Sequence, residues 1–330
     1  MSTKTAEADQ PPVQHVHVPS KVMEGSRFGA LFIYAVLYLA FLYVPPLFLP
    51  LFSFNDSIYV AFPLKGFTFK WYGEMAKSAG LIDALYNSLK VGSVVCVVST
   101  VFGILAAKAV TRYYMPGKGS IVSFIMLPLV VPGIILGIGL LVLVRSTGDW
   151  VGNMLPQDVP SDADELQLWL DQHSWYQQQL WYMGNALKKF FDLSLFWIGA
   201  AHVLLAVPFS MLVLISRMEG FDKSLEEASL DLGENAWRTF WRVTFPLALP
   251  GVIASLMLTF LISFDEFILA FFLSGNQVTL PIYIWSQLRF PAKLPNVLAL
   301  GSLILAVTMA LVVLAESIRR RGIGSGDVKS

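Results

Sequence analysis

Six stretches of this chain, at 28–52, 84–110, 119–144, 195–217, 247–273 and 296–318, are almost free of charge. Each reaches the run of about 20 apolar residues that a helix needs to cross a hydrocarbon layer. Inside lipid no water is available to the peptide groups, so a spanning segment must satisfy its own backbone hydrogen bonds, which a helix does. The chain is therefore expected to be an all-α polytopic membrane protein with six transmembrane helices. Its composition agrees: 55% of residues are hydrophobic, 14% are charged, and the mean hydropathy is +0.63. Formal net charge is zero, which gives no electrostatic reason for a nucleic-acid partner. The single cysteine, Cys96, rules out a disulfide framework and a cysteine metal cage, and it reads as an ordinary packing residue.

An even number of spans puts both termini on one side, and the distribution of Lys and Arg chooses that side. With the tails and the segments 108–118 and 217–242 in the cytoplasm, 14 of the 23 basic residues lie inside, and Arg319, Arg320 and Arg321 follow the last apolar run directly. Residues 1–27 read as a disordered cytoplasmic tail and 319–330 as a second one, flanking a six-helix membrane unit at 28–318. The first run lacks a small-residue cleavage site and is too long for a signal sequence, so it is expected to remain a helix. His15 and His17 read as solvated tail residues.

Between the fourth and fifth runs lies a charged island at 218–246. Ser224 and Glu227 have the spacing of a capping box, Leu225, Ala228 and Leu232 share a helical face, and Gly233 suits a left-handed stop. Trp237, Phe240 and Trp241 then recur at helical spacing, and Pro246 is expected to end that second short helix before the fifth span.

The string Glu227-Ala228-Ser229-x-x-x-Gly233, followed by Val243-x-Phe245-Pro246, resembles the cytoplasmic EAA loop of ABC importer permeases. Ser229 replaces the second Ala of that pattern, and Phe245 stands where Leu is usual. Gly66 to Tyr72, Asn87-Ser88, Ser263 to Glu266 and Phe271 to Gly275 are similar to the spermidine/putrescine-type branch. The resemblance implies a type I ABC importer permease fold whose coupling helix docks on an ATPase through Ser224, Glu227, Ala228, Ser229, Gly233 and Pro246. It implies two ATPase subunits that bind ATP and Mg, a second homologous permease subunit, an extracytoplasmic solute-binding protein, and a bacterial-type inner membrane. The implied substrate is a polyamine or a related small cation, moved by alternating access.

No cofactor, metal or catalytic site is expected in the chain itself. The nearest phosphate-loop string, Pro116 to Ser120, has Arg112 in place of the first Gly and Gly119 in place of the Ser or Thr that would hold magnesium. Gly133, Gly137 and Gly139 lie within an apolar run, where with Pro128 and Pro132 they predict one kinked, closely packed helix.

Asp265 and Glu266 form the one adjacent acidic pair in an apolar span, and a carboxylate at membrane depth costs at least about 2.5 kcal/mol unless it meets water or a partner. They read either as lining a cation pathway, with Asn87 and Phe264, or as an interhelical contact. Read as one helix, adjacent residues lie about 100° apart and cannot both face one lumen. The competing class is an ion-gradient-driven secondary transporter or channel using Asp265 and Glu266, and it leaves the EAA string unexplained. His202 in the fourth span reads as a buried packing residue. The segment 145–194 is expected to form an external amphipathic helix, started by Asp162 and Glu165, with a stripe from Leu166 through Trp169, His173, Tyr176, Leu180 and Leu187 to Phe191. An interfacial role is favoured over docking of a receptor.

Overall fold

The computed structural model describes residues 25–154, 163–172 and 174–323. The expectations for His15, His17, Asp162, His173, residues 1–24 and residues 324–330 fall outside it, as do the side chains of Arg319, Arg320 and Arg321. The order is α1 (Gly25–Ser53), α2 (Lys70–Ala76), α3 (Ala79–Arg112), α4 (Lys118–Val130), α5 (Gly133–Asn153), α6 (Ala163–Gln172) and α7 (Trp175–Phe190). Then follow α8 (Leu195–Glu219), α9 (Ser224–Asp231), α10 (Ala236–Thr239), a π turn at Phe240–Thr244, α11 (Phe245–Asp265), α12 (Ile268–Leu273), α13 (Leu280–Gln287) and α14 (Leu294–Ile323). Six of these segments are long and apolar enough to cross a membrane.

The bundle is organised around α3, α8 and α11, which pack along most of their lengths. Lipid is as apolar as leucine, so helices inside it associate through close backbone approach and interhelical hydrogen bonds. Both devices are present. A Cβ on Gly103 would fall 2.0 Å from the Ser210 hydroxyl, so α3 and α8 meet there only because residue 103 has no side chain. Ser255 of α11 lies 2.7 Å from Ser210 of α8 and 3.1 Å from Thr100 of α3, which joins the three helices through one buried hydroxyl cluster. Ala107, Leu214, Met218, Ala248 and Val252 continue the seam toward the α9 end. By contrast, α1 packs on α14, and most of its length is exposed.

Four sequence expectations change here. The third run is two helices: Val131 is extended because the following proline crowds it out of the helical region, and Pro132 offers no N–H to continue the ladder. Of its glycines, Gly137 lets Phe272 of α12 approach, whereas nothing lies within 4 Å of a Cβ on Gly139. The fifth run is not closed off by Pro246. The amide of Phe245 bonds to the carbonyl of Phe240, five residues back, and this wider turn carries the chain past the missing donor of Pro246 straight into α11. That same run ends early, at Asp265, because Glu266 is extended (ψ 116°) before α12 begins. Finally, the segment at 145–194, expected as one helix, contains α6 and α7, since Ser174 starts α7 afresh: its amide and hydroxyl both donate to Gln177 Oε1, at 3.1 and 2.8 Å.

Candidate functional site

The site at the α9 end is built by caps, then by an ion pair. The Ser224–Glu227 capping box is not formed. Asp222, two residues before α9, accepts the Ser224 backbone N–H at 3.0 Å, and that bond, with a second from the Ser224 side chain, holds the Asp222 carboxyl below the usual carboxylate range. A carboxylate also complements the positive end of the short helix. At the other terminus Gly233 has φ +88°, its amide bonds Leu230 O at 2.9 Å, and the Glu234 amide bonds Ser229 O at 3.3 Å. That pairing is the Schellman arrangement, in which only a residue comfortable at positive φ can close the helix.

Packing then fixes which face of α9 is presented. Glu226 turns inward: its carboxylate accepts from Arg112 Nε at 3.1 Å and from the Thr244 hydroxyl at 2.8 Å, and the Glu226 and Arg112 side chains are 15% and 7% exposed. Ser229 meets the Thr239 hydroxyl at 3.0 Å, tying α9 to α10. Glu234 pairs with Arg238 and Arg242. Trp237, Phe240 and Trp241 form the expected aromatic cluster and Phe245 joins it, with Trp241 and Phe245 ring centres 4.9 Å apart and the Lys108 ammonium 4.6 Å from the centre of Phe240. Glu227, Ala228, Leu225, Leu232 and Gly233 are left exposed. A groove of about 230 Å³ runs beside them between Lys108, Lys223, Glu227 and Leu230.

The residues singled out for a pathway are engaged in different contacts. Asn87 donates to Val278 O at 3.0 Å, and neighbouring Ser88 accepts the Leu280 amide at 2.8 Å, so this pair straps α3 to the start of α13. Phe264 stacks on Phe260 and packs beside Trp71 and Leu280. Glu266 Oε1 accepts the Leu269 N–H at 3.0 Å and so caps α12, which spends one carboxylate on a helix start. Asp265 is exposed at the end of α11. Because the helix ends between them, the 100° separation argued from a continuous helix does not apply. His202 is buried, with Nδ1 2.9 Å from the Ser263 hydroxyl and Nε2 without a hydrogen-bond partner.

Sequence reasoning missed Arg112 as a site residue, Glu226 as the inward glutamate, and the aromatic group of Phe267, Phe271 and Trp285 beyond the break. Trp285 lies 5.2 Å from Phe271 and 3.9 Å beneath the Arg289 guanidinium, so these rings already accept one cation. Spacing could have flagged Trp285 and Arg289, four residues apart; nothing local could have joined Arg112 to Glu226.

These features define a multi-pass helical membrane protein whose three-helix core ends in a capped, outward-facing helix between spans. The chain belongs to the binding-protein-dependent transport system inner membrane components, a family matched over residues 99–321. It is 29% identical over 267 residues to the putrescine transport system permease protein PotI of Escherichia coli (strain K12), covering 80% of this chain and 82% of that one. It is 28% identical over 297 residues to the spermidine/putrescine transport system permease protein PotC of Haemophilus influenzae, covering 90% and 98%. In fold it is similar, with a TM-score of 0.57 and 18% identity over 89% of this chain and 94% of the other, to a chain of a bacterial alginate ABC transporter crystallised with an alginate-bound periplasmic protein.

Proposed function

We propose that this chain is the permease subunit of an ATP-driven importer for a polyamine or a related small organic cation. Around it we place a second homologous permease, two ATPase subunits that bind ATP and Mg, and an extracytoplasmic solute-binding protein. Both termini are cytoplasmic in this reading. The observation that carries it is α9: an eight-residue helix closed at both ends, anchored by its inner face, and offering Glu227, Ala228 and Leu232 outward. A short rigid helix of that kind is something another subunit can grip, and a displacement applied to it reaches α3, α8 and α11 directly. Relatives named for putrescine and spermidine support the cation, as does the exposed carboxylate of Asp265 in a largely apolar stretch of sequence, between Phe264 and Phe267.

In the cycle, docking of the loaded receptor and closure of the ATPases draw the two coupling loops together and open the pathway outward; hydrolysis resets it. Nothing is transformed covalently. The test is copurification. Glu227→Lys and Gly233→Val are expected to release the ATPase subunit from an otherwise intact permease, with loss of ATP-dependent uptake in reconstituted vesicles. Uptake by this chain alone without ATP would sink the proposal. For the pathway, Asp265→Asn is expected to lower uptake of a diamine more than Glu266→Gln does, because the Glu266 side chain is engaged in capping α12. Equal and unchanged uptake in both variants removes Asp265 from the path.

A further inference from the structure

One guanidinium sits where the spans and the coupling loop converge. Arg112 closes the last turn of α3. Its Nη2 donates to the Met218 carbonyl near the end of α8 at 3.1 Å, and its plane lies 4.7 Å from the Phe221 ring in the turn that leads to α9. Its Nε pairs with Glu226 of α9 at 3.1 Å, and Glu226 in turn takes the Thr244 hydroxyl at the start of α11 at 2.8 Å. A single short chain of polar contacts thus joins α9 to the ends of all three helices of the bundle core. Arg suits such a node because its fixed fork of five donors can hold several acceptors at once in a defined geometry, and it stays charged.

We propose that Arg112 is a positioning residue for transport: through Glu226 it clamps α9 to α3, α8 and α11, so that a displacement of the coupling helix moves the three spans together. The inference rests on the coupling role given above to α9. Three hinges would otherwise intervene. Between α8 and α9 lie four residues, Gly220 to Lys223, outside any helix, and between α9 and α10 lie four more, Leu232 to Asn235. Along the backbone alone, motion of α9 would be absorbed in those turns and in the π turn. Directional side-chain bonds across the turns remove that slack. The outward face, with Glu227, Ala228 and Gly233, takes no part in the node, so gripping and transmission are carried by opposite sides of one helix.

The assignment is tested in the whole complex, purified with its ATPase and receptor and reconstituted in vesicles. Glu226→Gln keeps the shape and the acceptor for Thr244 but removes the charge that holds Arg112. Thr244→Val removes the bond that ties Glu226 to the start of α11 at nearly unchanged volume, and it keeps the test alive where the first variant folds poorly. For Glu226→Gln we expect the ATPase to copurify as in the parent while uptake per ATP hydrolysed falls about tenfold. Thr244→Val should follow the same direction with about a threefold fall, and Arg112→Lys, which keeps charge but not the fork, should fall between the two. Uptake per ATP within twofold of the parent in assembled Glu226→Gln and Thr244→Val overturns the proposal. So does a loss of copurification parallel to the loss of uptake, since the node would then serve docking or folding. Failure of Glu227→Lys to release the ATPase would instead count against the coupling role of α9 itself.

Discussion

Two of the polar helical insertions between the spans are anchored in opposite ways. At the α9 end, a helix of eight residues turns a glutamate inward onto an arginine 114 positions away and leaves its leucines outside. In the segment between α5 and α8, α7 is twice as long and has an equally good cap, yet it buries the small residue Gly184 against its neighbours and exposes Tyr176, Leu180, Met183 and Leu187. Polar bonds are directional and fix one geometry; apolar contact is tolerant of sliding. The first insertion is built to hold a position; the second presents apolar surface, and we propose that it rests at the headgroup and acyl boundary.

The largest test of that contrast is to remove one side of the buried pair. Glu226→Ala strands the Arg112 guanidinium, and breaking a buried ion pair in this way costs about 3–5 kcal/mol. We expect a marked fall in the unfolding midpoint of the detergent-solubilised protein. A fall no larger than that of an exposed substitution would erase the difference between the two insertions. A smaller loss is expected at Gly233, whose φ of +88° is costly for other residues. There Gly233→Val should cost at least about 1–2 kcal/mol locally, and Gly233→Asn distinctly less. Limited proteolysis between α9 and α10 reads that effect.

Helix α7 supplies the converse. Leu180 and Leu187 are 57% and 49% exposed, so Leu180→Lys with Leu187→Lys should change stability by no more than about 0.5 kcal/mol. Binding of a peptide of residues 163–190 to anionic vesicles should nevertheless be altered by the pair, because the stripe loses its apolar area. Receptor-stimulated ATPase in the full complex should stay within about twofold of the parent; a collapse of that stimulation would mean that the stripe touches the receptor instead.

How much of this was legible depends on range. The spans, the Gly233 stop and the aromatic repeat of Trp237, Phe240 and Trp241 follow from composition and local periodicity, and the structure has them. The breaks are subtler. Pro132 ends a helix because Val131 precedes it, while Pro246 does not, because a π turn absorbs its missing donor, and no spacing rule separates those cases. Glu226 and Glu227 are adjacent, and a helix of eight residues has too little pattern of its own to choose its inward side. That choice is made by Arg112, which by sequence was only one more positive charge at a membrane edge. The Gly103, Ser210 and Ser255 contact was visible only as small residues scattered over three spans.

The smallest effect separates the two caps by proton chemistry. Asp222 closes the start of α9 with a carboxylate, and the Ser224 N–H and side chain that bond to it keep its pKa below the ordinary value of about 3.9. A group whose folded pKa is depressed adds stability that is complete above the unfolded value and disappears as pH falls through the folded one. The cap is therefore fully made at neutral pH and should fail only below about pH 4. At α7, Gln177 and Ser174 carry the cap with groups that do not titrate in that range. A nitroxide at Asp231 of α9, in a background with Cys96 replaced by Ala, should gain mobility as pH falls through the acid range, and one at Gln179 of α7 should not. Asp222→Asn keeps an acceptor without the titration, so its α9 profile should lie flat. An acid transition persisting in Asp222→Asn would place the sensitivity elsewhere than this cap.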